Sequence, residues 1–550
     1  MGAQFLHGEE GNPLFALAEK EGLLLDRDAD EETGPDTIIQ YKDDLFYTPD
    51  GHVVPKDVIT DLLTRLEDLT MEANRVYDKG EANDITVSMG DYFRQHYPTL
   101  FDGIPANEDL KKSMIRWFEA WHILDSGGTV DQLSLPGHGK YRYNPGSGIQ
   151  ETKTGMAALL HVLLRDTVPS ACLRLKKPVR TVYWNASSAR HWAARLTGHL
   201  NGLLTPTLNN NVMLDLRTLV DAGLGEFDPM VDSAKDSKVL RTSGKGSVDD
   251  DGNDEASLVV RRNQQNVSAQ NGVLLKQSGG DVMVECEDGE IFEADHVIVT
   301  SSIGFLQGHP GFFQPSLPAK HYKAVQAMGF GTIAKSFSFD EWRHQVLGSD
   351  VDNIQLLWSD GCEPQLKSAK SCRRTSTGKP WYADVSSFGL IHSQEMCLLT
   401  WICGEAAEIM ETVPESEVID VLHELLALYL KKPAMPRPSR MIRTTWHTNP
   451  YTRGSYSYLA TGGSLELHDL LREPLPSPQM PVLQLAGEAC SKHFFSTAHG
   501  ALQSGRMAAR TLLHVNAENK SPHSVVICSR QSETETETKI DFWGKGKSLK

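Results

Sequence analysis

The sequence lacks a long apolar run, and no stretch approaches the roughly 18 consecutive apolar residues of a membrane-spanning helix. Its N-terminus has no apolar signal-peptide core. The eight cysteines form no CxxC pair and no metal-ligand spacing, which favours a reduced compartment. Its last residues, Ser548-Leu549-Lys550, are not the peroxisomal Ser-Lys-Leu signal. We therefore predict a cytoplasmic protein with no membrane span and no metal site.

Basic side chains are fewer than acidic ones. The chain has 54 Lys and Arg against 72 Asp and Glu, a formal charge of −18. This balance argues against nucleic-acid binding and favours cationic ligands. A length of 550 residues exceeds the usual size of one hydrophobic core, so we expect two domains. Oligomeric state is not encoded in these features.

Helical and strand patterns alternate along the chain. Residues 58–76 repeat apolar side chains at helical spacing just after Pro55, and residues 415–430 show a second amphipathic helix. Residues 296–300, 335–339 and 398–403 have the composition of strands. This alternation predicts an α/β fold.

Two segments are too polar to order themselves. Residues 232–265 contain the acidic run DDDGNDE, and the tail from residue 516 contains SETETET. We predict a disordered acidic insertion and a disordered tail at 516–550.

Residues 481–513 contain an apolar strand, Gly487, a polar loop and a helix that begins near Thr497. The early helix carries Gly500, Ala501, Ser504 and other small residues, which would let an anionic cofactor approach the helix N-terminus. On spacing alone an ordinary strand-loop-helix unit is the favoured interpretation, and the anion-binding alternative stays open here.

Six ordered blocks carry a resemblance to a known family. They are GAQFLHGEEGNPLF at 2–15, KKPVRTVYWN at 176–185, ADHVIVTSSIG at 294–304, MGFGTIAKSFSF at 328–339, TWHTNPYTRGSYSY at 445–458, and residues 481–513. Together they resemble the flavin-containing amine oxidases, in particular the spermine oxidase and acetylpolyamine oxidase group.

The resemblance implies a Rossmann-like FAD-binding domain interleaved with an α+β substrate-binding domain. The FAD-binding segments would be residues 1–25, 145–305 and 450–515. The substrate-binding segments would be residues 26–144 and 306–449.

The resemblance also implies the site residues. The lysine matching Lys335 holds a water against the reactive flavin nitrogen, although a lysine at a strand end can simply extend to solvent. His7 would take part in catalysis, with a structural role in its Gly-rich loop as the alternative. Thr497 stands where plant polyamine oxidases and monoamine oxidases carry a tyrosine, so a hydroxyl would replace one aromatic wall of the site. The expected cofactor-binding residues are Val179, Trp446, Tyr451, Gly487, Glu488, Ser496 and Thr497.

One feature of the family has no counterpart in this sequence. The family opens with a strand, a GxGxxG turn and a helix, whereas the resemblance here begins at Gly2. We therefore expect an N-terminally truncated member with exposed apolar strand edges and weak flavin binding.

The implied reaction is FAD-dependent oxidation of a secondary amine of spermine or acetylated polyamine. Oxygen would reoxidise the flavin and release hydrogen peroxide. Glu119 and Asp125 are candidate acidic groups for the substrate, with no specific match behind them. The alternatives are a histone-lysine demethylase of the same superfamily and a remnant that neither binds FAD nor catalyses.

Overall fold

The computed structural model describes residues 3–25, 38–78, 84–146, 148–167, 172–185, 281–339, 353–359, 361, 363–394, 397–519 and 525–528. The predicted insertion at 232–265 lies outside the described residues. None of the helices in the described part of the chain is long and apolar enough to cross a membrane.

The α-helices of these residues are α1 Pro13–Lys20, α2 Lys56–Asp78, α3 Met89–Leu100, α4 Glu108–Ser126, α5 Leu135–His138, α6 Met156–Thr167, α7 Ile303–Gly308, α8 Ala319–Ala327, α9 Gly404–Thr412, α10 Glu415–Tyr429, α11 Glu466–Arg472 and α12 Ala498–Asn519. The predicted helices at 58–76 and 415–430 are confirmed as α2 and α10. Local chemistry explains their limits. For example, Asn107 caps the start of α4 through Leu110 N, and Gly127 ends it with φ +83°.

The strands are β1 Phe5–His7, β2 Leu45–Tyr47, β3 Ile149–Glu151, β4 Val179–Tyr183, β5 Val282–Cys286, β6 Ile291–Ala294, β7 His296–Val299, β8 Phe313–Gln314, β9 Gly329–Gly331, β10 Ile333–Phe339, β11 Asn353–Leu356, β12 Ser387–Leu390, β13 Cys397–Cys403, β14 Arg440–Arg443, β15 Tyr456–Tyr458, β16 Leu475–Ser477, β17 Met480–Leu485 and β18 Val525–Cys528. The predicted strands at 296–300, 335–339 and 398–403 are confirmed as β7, β10 and β13. Helices and strands alternate, as the α/β prediction requires.

Two sheets position the candidate site. A six-stranded sheet has the order β14-β10-β13-β12-β11-β2, and a four-stranded sheet has the order β16-β17-β7-β18. In the second sheet β17, β7 and β18 are parallel, so their carboxyl ends lie at one edge. β1 with β3 and β9 with β15 form two separate two-stranded antiparallel sheets.

The C-terminal segment differs from its prediction. The expected disordered tail begins at residue 516, yet α12 continues to Asn519 and β18 follows at Val525–Cys528. β18 pairs with one edge of β7 and β17 with the other, so both edges of β7 are covered. Val525 and Cys528 are buried, and this burial supplies the free energy that ordering the segment costs. Residues 529–550 lie outside the described part.

The apolar core forms separate clusters. One surrounds β4, β5, β7 and β17, a second covers the six-stranded sheet and α10, and a third fills the space among α2, α3 and α4. Phe312, Leu317, Val325 and Met328 belong to the first cluster. Residues 312–328 therefore pack with the predicted FAD-binding segments, although the sequence assigned them to the substrate-binding domain. The domain boundaries stay a prediction.

Candidate active site

Lys335 lies on β10 in the six-stranded sheet, with its backbone held from one side. Its N–H donates to Thr444 Oγ1 at 2.8 Å, and its carbonyl accepts from Thr444 N at 2.9 Å. In the antiparallel pair of β10 and β13, Lys335 stands opposite Trp401. These contacts direct the side chain into the protein, where only 8% of Lys335 is exposed.

The amine of Lys335 occupies an aromatic and amide environment. Nζ donates to Gln4 Oε1 at 3.1 Å and lies 4.2 Å from the ring centroid of Trp401 and 5.9 Å from that of Phe5. Burial lowers the pKa of Lys335 to about 7, and the charge of Glu151 acts in the opposite direction. An amine with this pKa is partly deprotonated at neutral pH, whereas an ordinary lysine is almost fully protonated.

His7 lies on the same strand as Phe5, close to the start of α12. Its carbonyl accepts from Asn12 Nδ2 at 2.9 Å and from Asn144 Nδ2 at 3.4 Å. Asn144 Nδ2 also lies 3.2 Å from His499 Nε2. Burial lowers the pKa of His499 to about 4, so its neutral ring accepts this hydrogen bond. The structure thus brings His7 and His499 together through Asn144, and the catalytic role of His7 stays a prediction.

Glu488 is a half-buried carboxyl group whose two oxygens both accept hydrogen bonds. Oε1 accepts from Ser457 N at 3.1 Å, and Oε2 accepts from Ser457 Oγ at 2.6 Å and Ser496 N at 2.7 Å. Burial raises the pKa of Glu488, and the hydrogen bonds from Ser457 and Ser496 act in the opposite direction. Ser496 has φ +66°, a conformation that costs free energy and that its hydrogen bonds to Glu488 and Ser457 offset.

Thr497 caps α12 with its side chain. Its Oγ1 accepts from Gly500 N at 3.1 Å and donates to Phe494 O at 2.7 Å. Threonine is a common N-cap residue, and the predicted helix start near Thr497 agrees with the start of α12 at Ala498. The capping contacts occupy the hydroxyl proton, so a substrate contact of Thr497 would use the remaining lone pair of Oγ1.

The aromatic residues of the block at 445–458 differ in burial: Trp446 and Tyr451 are half-buried, whereas Tyr458 is buried. Trp446 is half-buried, and its carbonyl accepts from Gly454 N at 3.0 Å and Thr452 Oγ1 at 2.6 Å. Tyr451 is also half-buried, and its N–H donates to Asn449 Oδ1 at 3.0 Å. Beside this loop lies a cavity of about 430 Å³ lined by Glu408, Thr412, His447, Thr448, Pro450 and Arg453. The cofactor contacts expected of Trp446 and Tyr451 stay predictions.

The remaining candidates lie apart from these contacts. Val179 begins β4 and is buried in the first apolar cluster, as a strand residue is expected to be. Glu119 accepts from Tyr97 OH at 3.1 Å, and burial raises its pKa. Asp125 is exposed near the end of α4. None of these contacts tests their predicted roles.

Sequence reasoning missed several residues that contact the candidates. Gln4, Trp401 and Thr444 surround Lys335, whereas Ser457 completes the Glu488 cluster. Gln4 lies inside a block that was recognised, three residues before His7, so a search for side chains near that histidine could have found it. Trp401 and Thr444 reach Lys335 through strand register, which no local spacing reveals.

Three comparisons with known proteins bear on this site. The family model described as flavin containing amine oxidoreductase matches residues 272–513. A human peroxisomal N(1)-acetyl-spermine/spermidine oxidase is 28% identical over 535 residues, covering 93% of this chain and 84% of the relative. Polyamine oxidase 1 of Oryza sativa subsp. japonica is 33% identical over 270 residues, covering 44% of this chain and 51% of the relative.

A solved putrescine oxidase double mutant, made to redesign cofactor binding, shares the fold. It superimposes with a TM-score of 0.51 at 12% identity, covering 93% of this chain and 87% of that one. The fold and the family match define an FAD-dependent oxidoreductase. The chain is similar to the flavin containing amine oxidoreductases over residues 272–513 and to N(1)-acetyl-spermine/spermidine oxidases over 93% of its length.

The described residues fit FAD at the carboxyl edge of the parallel sheet. Gly487 follows β17 with φ +138°, and a Cβ placed there would meet no atom within 4 Å, so a cofactor has room to approach its backbone. On α12, Nε and Nη2 of Arg506 are enclosed and have no hydrogen-bond partner among the described residues. An anionic group such as a phosphate would satisfy this guanidinium.

Proposed function

We propose that the protein oxidises a secondary amine of spermine or of an acetylated polyamine. The products would be a shorter polyamine, an aminoaldehyde and hydrogen peroxide. The support is the relative named N(1)-acetyl-spermine/spermidine oxidase, which matches 93% of this chain. A formal charge of −18 also favours association with a cationic substrate.

The observation that carries the proposal is the buried amine of Lys335 beside Trp401, Phe5 and Gln4. Bound FAD would accept the hydride from the carbon beside the substrate nitrogen, and oxygen would then take up both electrons and two protons as hydrogen peroxide. Water hydrolyses the resulting imine to the aldehyde and the shorter amine. Lys335 Nζ would hold a water near the reactive flavin nitrogen, and its lowered pKa allows proton exchange at neutral pH.

The other proposed roles follow the family resemblance. Gly487, Glu488, Ser496 and Thr497 would hold the cofactor from the β17–α12 connection, with Trp446 and Tyr451 beside its ring and Val179 near its adenine end. His7 and Thr497 would contact the substrate.

Absorption spectroscopy of the purified 550-residue chain tests the cofactor. We expect the flavin bands near those of other flavoproteins, released on denaturation as FAD. A colourless, folded protein would contradict catalysis by this form of the chain.

Peroxide release tests the substrate. The flavin-loaded protein would be assayed with spermine, with acetylspermine and with a methylated lysine peptide. Peroxide with either polyamine supports the proposal. Peroxide with the peptide alone, or with none of the three, would overturn it.

Lys335→Met tests the proposed role of the lysine. Anaerobic stopped-flow measurement should show flavin reduction slowed by about 10-fold or more, the scale expected for losing a positioned proton-exchange group, with the flavin still bound. Lys320→Met, at an exposed ion pair with Glu473, is the control and should reduce its flavin normally. Equal reduction rates in the two variants would refute the role of Lys335.

We also propose a cytoplasmic location, which imaging of the tagged chain beside a peroxisomal marker would test. Overlap with the marker would contradict it.

A further inference from the structure

A chain of polar groups connects Lys335 to Glu151. Lys335 Nζ donates to Gln4 Oε1 at 3.1 Å, and Gln4 Nε2 donates to Glu151 Oε1 at 3.5 Å. The second oxygen of Glu151 accepts from Ser393 N at 3.3 Å. Glu151 is only 7% exposed, and β3 holds it opposite Phe5 of β1.

We propose that Gln4 and Glu151 are positioning residues for Lys335, forming a carboxylate–amide–amine relay that holds Nζ in place and favours its charged form. The assignment rests on the proposed function of Lys335. The amide is oriented at both ends, because its oxygen faces the amine and its nitrogen faces the carboxylate. Its dipole therefore stabilises the ammonium and the carboxylate at once.

Within the described residues, Glu151 supplies the negative charge that acts on the Lys335 amine, because the groups that contact this amine are uncharged. From β1 and the residue before it come Phe5 and Gln4, which are uncharged. From β13 comes Trp401, which is uncharged. Thr444 on the remaining side is uncharged. Glu151 opposes the desolvation of the amine, since an opposite charge favours the ionised form.

The proton affinity of Lys335 in the purified chain tests the relay. The extent of acetylation at Lys335, measured by peptide mass spectrometry across pH and normalised to the denatured protein, gives its titration midpoint. Glu151→Gln keeps the shape of the side chain and removes its charge, so the midpoint should fall by about one pH unit. Gln4→Leu should lower it too, because the amine loses its amide acceptor.

Two further variants separate positioning from general structural damage. Gln4→Glu, which places a carboxylate directly at Nζ, should raise the midpoint, a direction that loosened packing does not produce. The double variant Gln4→Glu/Glu151→Gln reverses the relay and should hold the midpoint at or above the wild-type value. Glu293→Gln, an exposed change on β6, is the matched control and should leave it unchanged.

An unchanged midpoint in Glu151→Gln, or a lowered midpoint in both Gln4→Glu and the double variant, would overturn the relay. This measurement needs no turnover. If Lys335→Met reduces its flavin normally while the midpoints move as expected, the proposed function of Lys335 fails and the relay stands. If Lys335→Met is slow but the midpoints stay fixed, the relay fails alone.

Discussion

Two ionisable groups near the proposed flavin site, the half-buried Glu488 and the buried Lys335, have opposite surroundings. Glu488 accepts hydrogen bonds from Ser457 N, Ser457 Oγ and Ser496 N, and these contacts tie the β15 strand to the start of α12. Lys335 is held by a neutral amide and faces the rings of Trp401 and Phe5. The carboxyl group is satisfied by fixed donors, which holds the proposed cofactor-binding connection in one shape. The amine has a lowered pKa and aromatic neighbours, which suits proton exchange and contact with other molecules.

The largest expected effect is at Glu488. Glu488→Ala leaves three donors without their acceptor, so we expect it to lower the free energy of unfolding by about 3–5 kcal/mol. Glu488→Gln keeps one accepting oxygen and should cost about 1–2 kcal/mol. Urea denaturation measures both. The exposed change Glu293→Ala should stay near wild type, and equal losses at Glu488 and Glu293 would show that the donor set contributes nothing.

Lys335→Met should act in the opposite direction on stability. Its folded pKa of about 7 lies below the ordinary value of 10.5, so between these pH values the unfolded chain holds a proton that the folded chain tends to lose. The resulting penalty is absent above about pH 10.5 and grows as the pH falls to 7. Lys335→Met removes it and should raise the free energy of unfolding by about 1–4 kcal/mol at pH 7.

Thermal unfolding of the wild type and Lys335→Met between pH 7 and 10 measures this difference. The two melting temperatures should converge as the pH rises. A constant difference in melting temperature across that range would mean that protonation of the buried amine does not lower stability. Lys335 and Glu488 would then not differ in the way proposed.

A buried base near Glu488 should make the fold sensitive to acid. His468 is fully buried, its Nδ1 lies 2.7 Å from Ala489 O, and burial lowers its pKa to about 4. Between pH 6.5 and 4 the unfolded chain gains a proton on His468 that the folded chain does not, so stability falls as the pH falls. At pH 5 the expected loss is about 1–2 kcal/mol.

His468→Phe keeps the contact with Phe495 and removes the titration. Melting temperatures at pH 7.5 and 5 should differ less in this variant than in the wild type. If the melting temperature of His468→Phe falls with pH as much as that of the wild type, groups other than His468 cause the acid sensitivity.

The smallest expected effect is at Thr497. Thr497→Ala removes the cap of α12 and should cost about 1 kcal/mol, whereas Thr497→Ser keeps an acceptor for Gly500 N and should cost less. Thermal unfolding of the two variants measures the contribution of the cap to stability. If Thr497→Ser keeps stability but changes the Michaelis constant for polyamine, the hydroxyl contacts substrate as well as capping the helix.

Much of the fold was accessible from local patterns. The apolar face of residues 58–76 predicted α2, and the apolar runs at 296–300 and 398–403 predicted β7 and β13, because these periods repeat within a few residues. The burial of Lys335 followed from the strand pattern around it. The C-terminal strand β18 was missed, since a four-residue apolar run between polar segments gains its stability from pairing with β7.

The sequence by itself determined the α/β class, the positions of the main helices and strands, and the candidacy of Lys335, Glu488 and Thr497. Only the tertiary structure decided that Gln4 reaches Lys335 across 331 residues, that Ser457 serves Glu488, and that β18 covers the edge of β7. The physical reason is that periodicity and capping are short-range effects. Contacts between distant segments depend on strand register and packing, which the whole chain sets together.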